Sequence, residues 1–237
     1  MSGARILVFG PHPDDIEFGC APLLLLEAQA EPDARAQIKL VLLSRGEAGS
    51  SGNAQQREQE ARAAAALLQA EIDFVDFRGD CHLDATPANA VRLAAEIRRF
   101  QPQIVLAPQP GPNQHPDHIA CGTLVRDACR LARYAGLADL KALAPVRISQ
   151  LYFYDITQHG LRAPDIVVDI TSVVPAWEAV MRCHASQVQA KGYLDLQLAA
   201  ARLLGLSIGV EYACGVYANE PVRIERLSKL TLSSRNF

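Results

Sequence analysis

Two near-copies of one tetrapeptide carry residue types from which a metal site is built. HPDD occupies residues 12–15, directly after an apolar run, and HPDH occupies residues 115–118, soon after another. Two imidazoles and a carboxylate that leave a fourth position open make a catalytic zinc site, although other divalent metals accept the same ligands. A single HPD sequence is more typical of a helix start. The two copies therefore indicate a metal site if the fold brings them together.

The chain around these motifs alternates short apolar runs with longer helical stretches, which is typical of βαβ units. Strands are predicted at 5–9, 38–44, 72–77, 104–107, 148–154 and 166–170, and helices at 16–29, 54–69, 89–100, 116–135, 173–186 and 193–204. We therefore predict an α/β fold, a Rossmann-like three-layer sandwich with a mostly parallel sheet. Residues 1–237 contain no internal repeat and no clear linker, so we expect a single domain.

Both motifs follow a predicted strand, which places them at the carboxyl ends of the first and fourth strands. In a doubly wound sheet of order 3-2-1-4-5 these strands are neighbours, and ligands bind in the crevice between them. Proline suits the first position of a helix, so each motif is expected in a first helical turn. There the helix dipole would keep His12 neutral and keep Asp14 and Asp15 ionised. With this strand order assumed, the two motifs converge.

Composition excludes several other classes of function. The net charge of -3 and the absence of a basic stripe argue against nucleic-acid binding. The six cysteines form no C-x-x-C pair, so a structural zinc–thiolate site is not expected. The apolar runs are far shorter than the roughly 20 residues of a membrane span. With no signal sequence recognised, we expect a cytoplasmic protein and leave open a homo-oligomer.

The two motifs resemble those of a known family. GPHPDD at residues 10–15 together with HPDH at 115–118 resembles the PIG-L/LmbE family of zinc deacetylases. Supporting similarity lies in residues 44–49, 184–187 and 211–213. The paired motifs are specific, whereas the other segments add support only.

The resemblance implies a role for each motif residue. His12, Asp15 and His118 would be the ligands of a Zn²⁺ ion, and Asp14 would be the general base. His115 would stabilise or protonate the tetrahedral intermediate, and we expect it to act as an imidazolium. A base that must be ionised and an acid that must be protonated together predict a bell-shaped pH dependence.

Residues outside the two motif cores receive weaker assignments. By resemblance, Arg57 and Asp80 are expected to contact the substrate. Asp117 either orients one of the neighbouring histidines or simply favours the helix N-terminus, and both interpretations stay open. Asn113 stands where some relatives have a tyrosine.

The implied activity is removal of an N-acetyl group from an N-acetylglucosamine-type sugar or glycoconjugate, which gives a free amine and acetate. The expected partner is therefore a small N-acetylated molecule. Two alternatives remain open: a zinc amidase that acts on a thiol conjugate or an antibiotic glycoside, and a non-hydrolytic Rossmann-like nucleotide-binding module. The segment after the first predicted strand lacks the glycine pattern G-x-G-x-x-G, which argues against a dinucleotide there.

Overall fold

The computed structural model describes residues 3–111, 115–157, 159, 162–189 and 192–226, so Asn113 lies outside the described residues. The strands within these residues are β1 (Arg5–Gly10), β2 (Gln37–Leu42), β3 (Glu71–Phe74), β4 (Ile104–Pro108), β5 (Gln150–Tyr154), β6 (Ile166–Asp169) and β7 (Ala213–Ala218). They form one sheet of order β3-β2-β1-β4-β5-β7-β6. The strands β1 to β5 run parallel, and β7 pairs antiparallel with both β5 and β6. The predicted α/β fold with a mostly parallel sheet is confirmed.

Helices cover both faces of this sheet. They are α1 (Asp15–Gly19), α2 (Ala21–Ala28), α3 (Ala54–Leu67), α4 (Pro87–Phe100), α5 (Pro116–Ala132), α6 (Val174–Arg182), α7 (Ala185–Val188) and α8 (Tyr193–Ile208). Successive side chains of β1 point to opposite faces, so Ile6 and Val8 join one apolar core while Leu7 and Phe9 join the other. The first core packs against α1, α2, α3, α6 and α8, and the second packs against α4 and α5.

Two predicted helices are each divided in the structure, and one strand was missed. The single helix expected at 16–29 breaks at Cys20 into α1 and α2. A continuous helix would press the ring of Pro22 against the carbonyl of Phe18, four residues earlier. The helix expected at 173–186 divides into α6 and α7. The unpredicted strand β7 contains glycine and alanine, which are depleted in strands.

The assumed neighbourhood of the first and fourth strands is confirmed. In the parallel β1–β4 pair, Ile6 lies opposite Ile104 and Val8 lies opposite Leu106. Both strands therefore end at the same edge of the sheet, where the chain order changes direction. This edge receives both motifs.

The motifs enter their helices in different ways. His115 caps α5 and Pro116 is its first residue, as predicted. The prediction for the first motif is wrong, because α1 begins only at Asp15 and Pro13 lies in the turn before it. Asp14 caps α1 with φ 103° and ψ −29°, a left-handed conformation that costs a non-glycine residue about 1–3 kcal/mol. His12 therefore lies outside the helix, on the turn that leaves β1.

A glycine in α5 lets this helix approach the end of β4. A Cβ atom added at Gly122 would lie 2.3 Å from the carbonyl oxygen of Pro108 and 2.9 Å from the nitrogen of Pro110. Gly122 is four residues after His118, so both lie on the same side of α5. This close contact sets the height of His118 above the sheet.

Gly122→Ala should destabilise the protein by about 1–3 kcal/mol, because backbone atoms must move to admit the methyl group. Gly136→Ala is the matched control, since its added Cβ has no atom within 4 Å and should change stability by less than about 0.5 kcal/mol. Urea denaturation of the three proteins measures the difference. Equal stability of the two variants would contradict the close packing of α5 on β4.

Candidate metal centre

The polar residues of both motifs, except His115, are buried although several carry charge. The exposed fractions are 6% for His12, 7% for Asp14, 4% for Asp15, 3% for Asp117 and 4% for His118. Side chains of these types are rarely buried unless they are paired. The contacts among them therefore decide what the site can hold.

His12 lies at the centre of a ring of carboxylates. Its Nδ1 is 2.9 Å from Asp15 Oδ2, and its Nε2 is 3.0 Å from Asp80 Oδ1 and 3.3 Å from Asp117 Oδ2. Burial alone would lower the pKa of His12, but the carboxylates of Asp15, Asp117 and Asp80 raise it well above its usual value. The expected effect of a helix dipole on His12 does not apply, because His12 lies outside α1. The surrounding carboxylates raise its pKa instead.

Asp15 links the two motifs. While one of its carboxylate oxygens faces His12, the other lies 3.1 Å from His118 Nε2. Burial would raise the pKa of Asp15, but the adjacent charges of His118 and His12 lower it well below its usual range. One ionised carboxylate therefore connects the loop after β1 to the first turn of α5.

His115 stands at the rim of the site. Its ring is 4.6 Å from that of His12 and 5.3 Å from that of His118, measured between centroids. Burial and the charges of His12 and His118 lower the pKa of His115. Its Nδ1 accepts a hydrogen bond of 3.2 Å from the backbone N–H of Asp117, which requires that nitrogen to be unprotonated. The structure therefore favours a neutral imidazole at His115, whereas the sequence led us to expect a cation.

Asp14 directs its carboxylate into the site and away from the helix end that it caps. In the described structure its side chain makes no capping hydrogen bond, and Arg57 Nη2 lies 3.4 Å from its Oδ1. Burial and the neighbouring charge of Asp15 raise the pKa of Asp14 to about 7, against the opposing effect of Arg57. A carboxylate whose pKa lies near neutrality is suited to take up and release a proton.

Arg57 and Asp80 are the two expected substrate contacts. Both make polar contacts within the protein. Arg57 Nη2 donates to the carbonyl of Pro13 at 2.7 Å, and its Nη1 donates to the carbonyl of Gly46 at 3.1 Å. Asp80 contacts His12, as described above. Both residues also line the cavity, so contact with a substrate stays a prediction for them.

Asp117 makes contacts that fit both of the interpretations left open by the sequence. Its carboxylate faces His12 and also accepts a hydrogen bond of 2.8 Å from the backbone N–H of Cys81. Asp117 also lies in the first turn of α5, where a negative charge is favourable. Asp117 therefore connects the loop after β3 to His12, and its role in orienting that ring stays a prediction.

A cavity of about 150 Å³ opens above these residues. Sequence reasoning assigned no role to several of its lining residues, which are Phe18, Gly49, Ser50, Ile156, Thr157, Gln187 and Tyr193. These residues come from segments that are distant from one another in sequence. None of them belongs to a sequence motif that by itself indicates a chemical function. Gly49 and Gln187 lie in segments that the family resemblance included.

The donor set fits a divalent cation. Ring nitrogens of His12, His115 and His118 lie within 4.8 Å of one another, as do ligand atoms of His12, Asp80 and Asp117. The buried carboxylates of residues 14, 15, 80 and 117 surround these imidazoles and give a local excess of negative charge. Imidazole and carboxylate together suit zinc. The site therefore has the ligand chemistry and the charge that such an ion requires.

Comparison with known proteins places this site in a family. A family model described as PIG-L, GlcNAc-PI de-N-acetylase, matches residues 7–129, which contain both motifs and make up just over half of the chain. The chain belongs to the PIG-L family. This confirms the family resemblance found in the sequence.

Individual relatives extend the comparison over more of the chain. The diacetylchitobiose deacetylase of Thermococcus kodakarensis is 31% identical over 77% of this chain and 70% of its own length. The 4-oxalmesaconate hydratase of Pseudomonas putida is 27% identical over 94% of this chain and 92% of its own. A crystal structure of a conserved Thermus thermophilus protein superposes with a TM-score of 0.82 at 32% identity, covering 93% of this chain and 97% of that one.

None of the helices in the described residues is long and apolar enough to cross a membrane. This agrees with the short apolar runs of the sequence.

Metal binding should release about one proton per ion near neutral pH, because a ligand histidine must be neutral. The carboxylates raise the pKa of His12 well above its usual value, so we expect a cation that binds there to displace a proton. For the same reason, affinity should fall as the pH is lowered. Calorimetric titration of metal-free protein in buffers of different ionisation enthalpy counts the protons.

His118→Ala is the companion variant and should lose most of its metal affinity. Binding enthalpies that do not vary with the buffer would contradict the protonated state of His12. Unchanged affinity in His118→Ala would remove His118 from the ligand set.

Proposed function

We propose that this protein is a zinc-dependent hydrolase that removes an N-acetyl group from an N-acetylglucosamine-type sugar or glycoconjugate. The products would be a free amine and acetate. The observation that carries the proposal is the convergence of both motifs, with Asp14 next to the buried cluster of His12, Asp15 and His118. Membership of the PIG-L family supports the same reaction class. We also propose that residues 1–237 act as one domain.

In this proposal His12, Asp15 and His118 hold the zinc ion. When bound, the ion supplies a Lewis acid that polarises a carbonyl group and lowers the pKa of water from 15.7 to about 7. Asp80 and Asp117 hold the ring of His12 from its other side, at 3.0 and 3.3 Å. Such outer carboxylates fix the orientation of a ligand histidine and increase its basicity.

Asp14 is the proposed general base. Its carboxylate lines the cavity beside the cluster, and Arg57 holds it in position from the protein side. Asp14 would take a proton from the attacking water and later deliver it to the amide nitrogen, which makes the amine a better leaving group. Its left-handed backbone is consistent with a residue whose position the reaction requires.

His115 is the proposed stabiliser of the negative oxygen that develops on the carbonyl carbon. Because its Nδ1 accepts from the backbone of Asp117, the proton of a neutral ring is on Nε2, which can donate to that oxygen. Removal of one such donor typically costs about 3 kcal/mol of transition-state stabilisation. Arg57 and Asp80 are the proposed sugar contacts, through the parts of their side chains that line the cavity.

A hydratase is a second candidate, because the Pseudomonas putida hydratase is similar over nearly the whole of this chain. A base, a proton donor and a cation could also add water to a carbon–carbon double bond. An amidase for thiol conjugates or antibiotic glycosides shares the proposed mechanism and differs in substrate. The nucleotide-binding module is disfavoured, since the carboxylates of residues 14, 15, 80 and 117 would repel phosphate groups at the switch point.

The zinc-loaded protein should release free amine and acetate from N-acetylglucosamine-type substrates. Asp14→Asn should lower kcat by about 10² to 10⁴-fold while it keeps its metal, because a base is lost but no ligand is. Fluorescent amine detection and elemental analysis measure both quantities. Hydration of an unsaturated dicarboxylate without any amine release would instead support the second candidate.

The same assay yields the pH dependence. Asp14 works when ionised and its pKa is raised to about 7, so activity should fall as the pH drops below neutrality. A bound cation lowers this pKa, so we expect an acid limb no higher than about pH 7. An acid limb that persists unchanged in the residual activity of Asp14→Asn would assign it to another group.

A further inference from the structure

A second group of ligand-type atoms lies at the rim of the metal centre. Cys81 Sγ is 3.4 Å from Asp80 Oδ1 and 3.8 Å from His115 Nε2, and these two atoms are 4.0 Å apart. In a tetrahedral zinc site, bonds of about 2.0–2.3 Å place neighbouring ligand atoms roughly 3.3–3.6 Å from one another. The three atoms are therefore already close to the spacing that such an ion requires.

The backbone fixes Cys81 in this place. Its φ is 65°, a left-handed conformation, and its N–H donates to Asp117 Oδ2 at 2.8 Å. The preceding Asp80 is held in turn, because its N–H donates to Glu47 Oε2 at 3.1 Å. All six cysteines lie in described residues, and Cys81 alone among them is exposed. A cation can therefore reach this thiol from solvent.

We propose that Cys81, His115 and Asp80 form a second site for a thiophilic divalent cation, and that zinc bound there inhibits the enzyme. A thiolate favours zinc over the hard cations magnesium and calcium. The thiol would lose its proton to solvent as the metal–sulfur bond forms, which replaces the hydrogen bond from Sγ to Asp80. His115 would bind through Nε2 in its neutral form, with its proton moved to Nδ1 at the cost of the bond from the Asp117 N–H.

A cation bound at this second site prevents His115 from stabilising the substrate oxygen as proposed above. A ring whose Nε2 holds a cation has no proton there to donate to the substrate oxygen. Asp80 Oδ1 also lies 3.0 Å from His12 Nε2, so the second site adjoins the proposed catalytic one. Two cations so close repel each other, and the second therefore binds only at metal concentrations beyond the first equivalent. The inhibition rests on the proposed function, whereas the binding does not.

Cadmium is the probe for binding, because a cadmium–thiolate bond gives a charge-transfer absorption band in the ultraviolet. The proposed catalytic ligands include no sulfur, so the band reports on the second site alone. Protein loaded with one equivalent of zinc should develop the band as about one further equivalent of cadmium is added. Cys81→Ser and Cys81→Ala should both lose it, while each keeps the backbone N–H that binds Asp117.

Cys129→Ser is the matched control, since Cys129 is a partly buried thiol in α5 that takes no part in the group. This variant should keep the band. A band that survives in both Cys81 variants, or the absence of a band in the unmodified protein, would overturn the site.

Inhibition is measured separately, as loss of amine release when zinc exceeds one equivalent. Loss of a residue that only contacts a metal ligand lowers metal affinity by roughly 10- to 100-fold. Cys81 is itself a proposed ligand, so the zinc concentration that inhibits Cys81→Ser should rise by more than this factor. If the cadmium band appears but excess zinc does not inhibit, the second cation site is supported and the proposal that it inhibits the enzyme is overturned. An inactive zinc-loaded enzyme that still shows the band would overturn the proposed function and leave the cation site supported.

Discussion

The crowding of carboxylates around one imidazole is the constraint on which the site depends. Asp15, Asp80 and Asp117 each place an oxygen within 3.3 Å of a ring nitrogen of His12. Buried negative charges repel one another and are costly without a compensating cation. The carboxylates raise the pKa of His12, and Arg57 places a positive charge beside Asp14. A divalent cation would compensate the carboxylates further, so this arrangement favours metal binding.

The fold supplies the geometry that this crowding requires. Because β1 and β4 are parallel neighbours, the loops that follow them open at the same edge of the sheet. Asp14 turns the chain through a left-handed conformation before α1, and Gly122 lets α5 pack directly on the end of β4. A third loop, after β3, brings Asp80 to His12 and is tied to α5 through Asp117. Three separate connections thus meet at one histidine.

The sequence was sufficient to predict the layered α/β fold and, with the order of the central strands assumed, the meeting of the two motifs. These follow from local patterns, namely apolar periodicity and the placement of HPD after each strand. The left-handed turn at Asp14 was not predicted, since aspartate gives no strong signal for that conformation. The raised pKa of His12 and the lowered pKa of His115 were also not predicted. Both depend on which carboxylates and N–H groups surround each ring in three dimensions.

The surroundings of Cys81 also could not be predicted from local sequence patterns. In the sequence it is one of six cysteines without a partner, and only the loop geometry places it beside Asp80 and His115. Strand β7 was not predicted either. Its glycine and alanine residues have little preference for strands, and it pairs with β5 and β6, which are distant in sequence. Contacts between residues that are distant in sequence produce no periodic pattern in the sequence.

We propose that His12, Asp15 and His118 together hold a catalytic cation. Anomalous diffraction from crystals of protein loaded with one equivalent of zinc, recorded on both sides of the zinc absorption edge, tests it most directly. We expect one strong anomalous peak in contact with His12, Asp15 and His118, next to the carboxylate of Asp14. A principal peak on other residues, or stoichiometric zinc with no peak at this cluster, would contradict it.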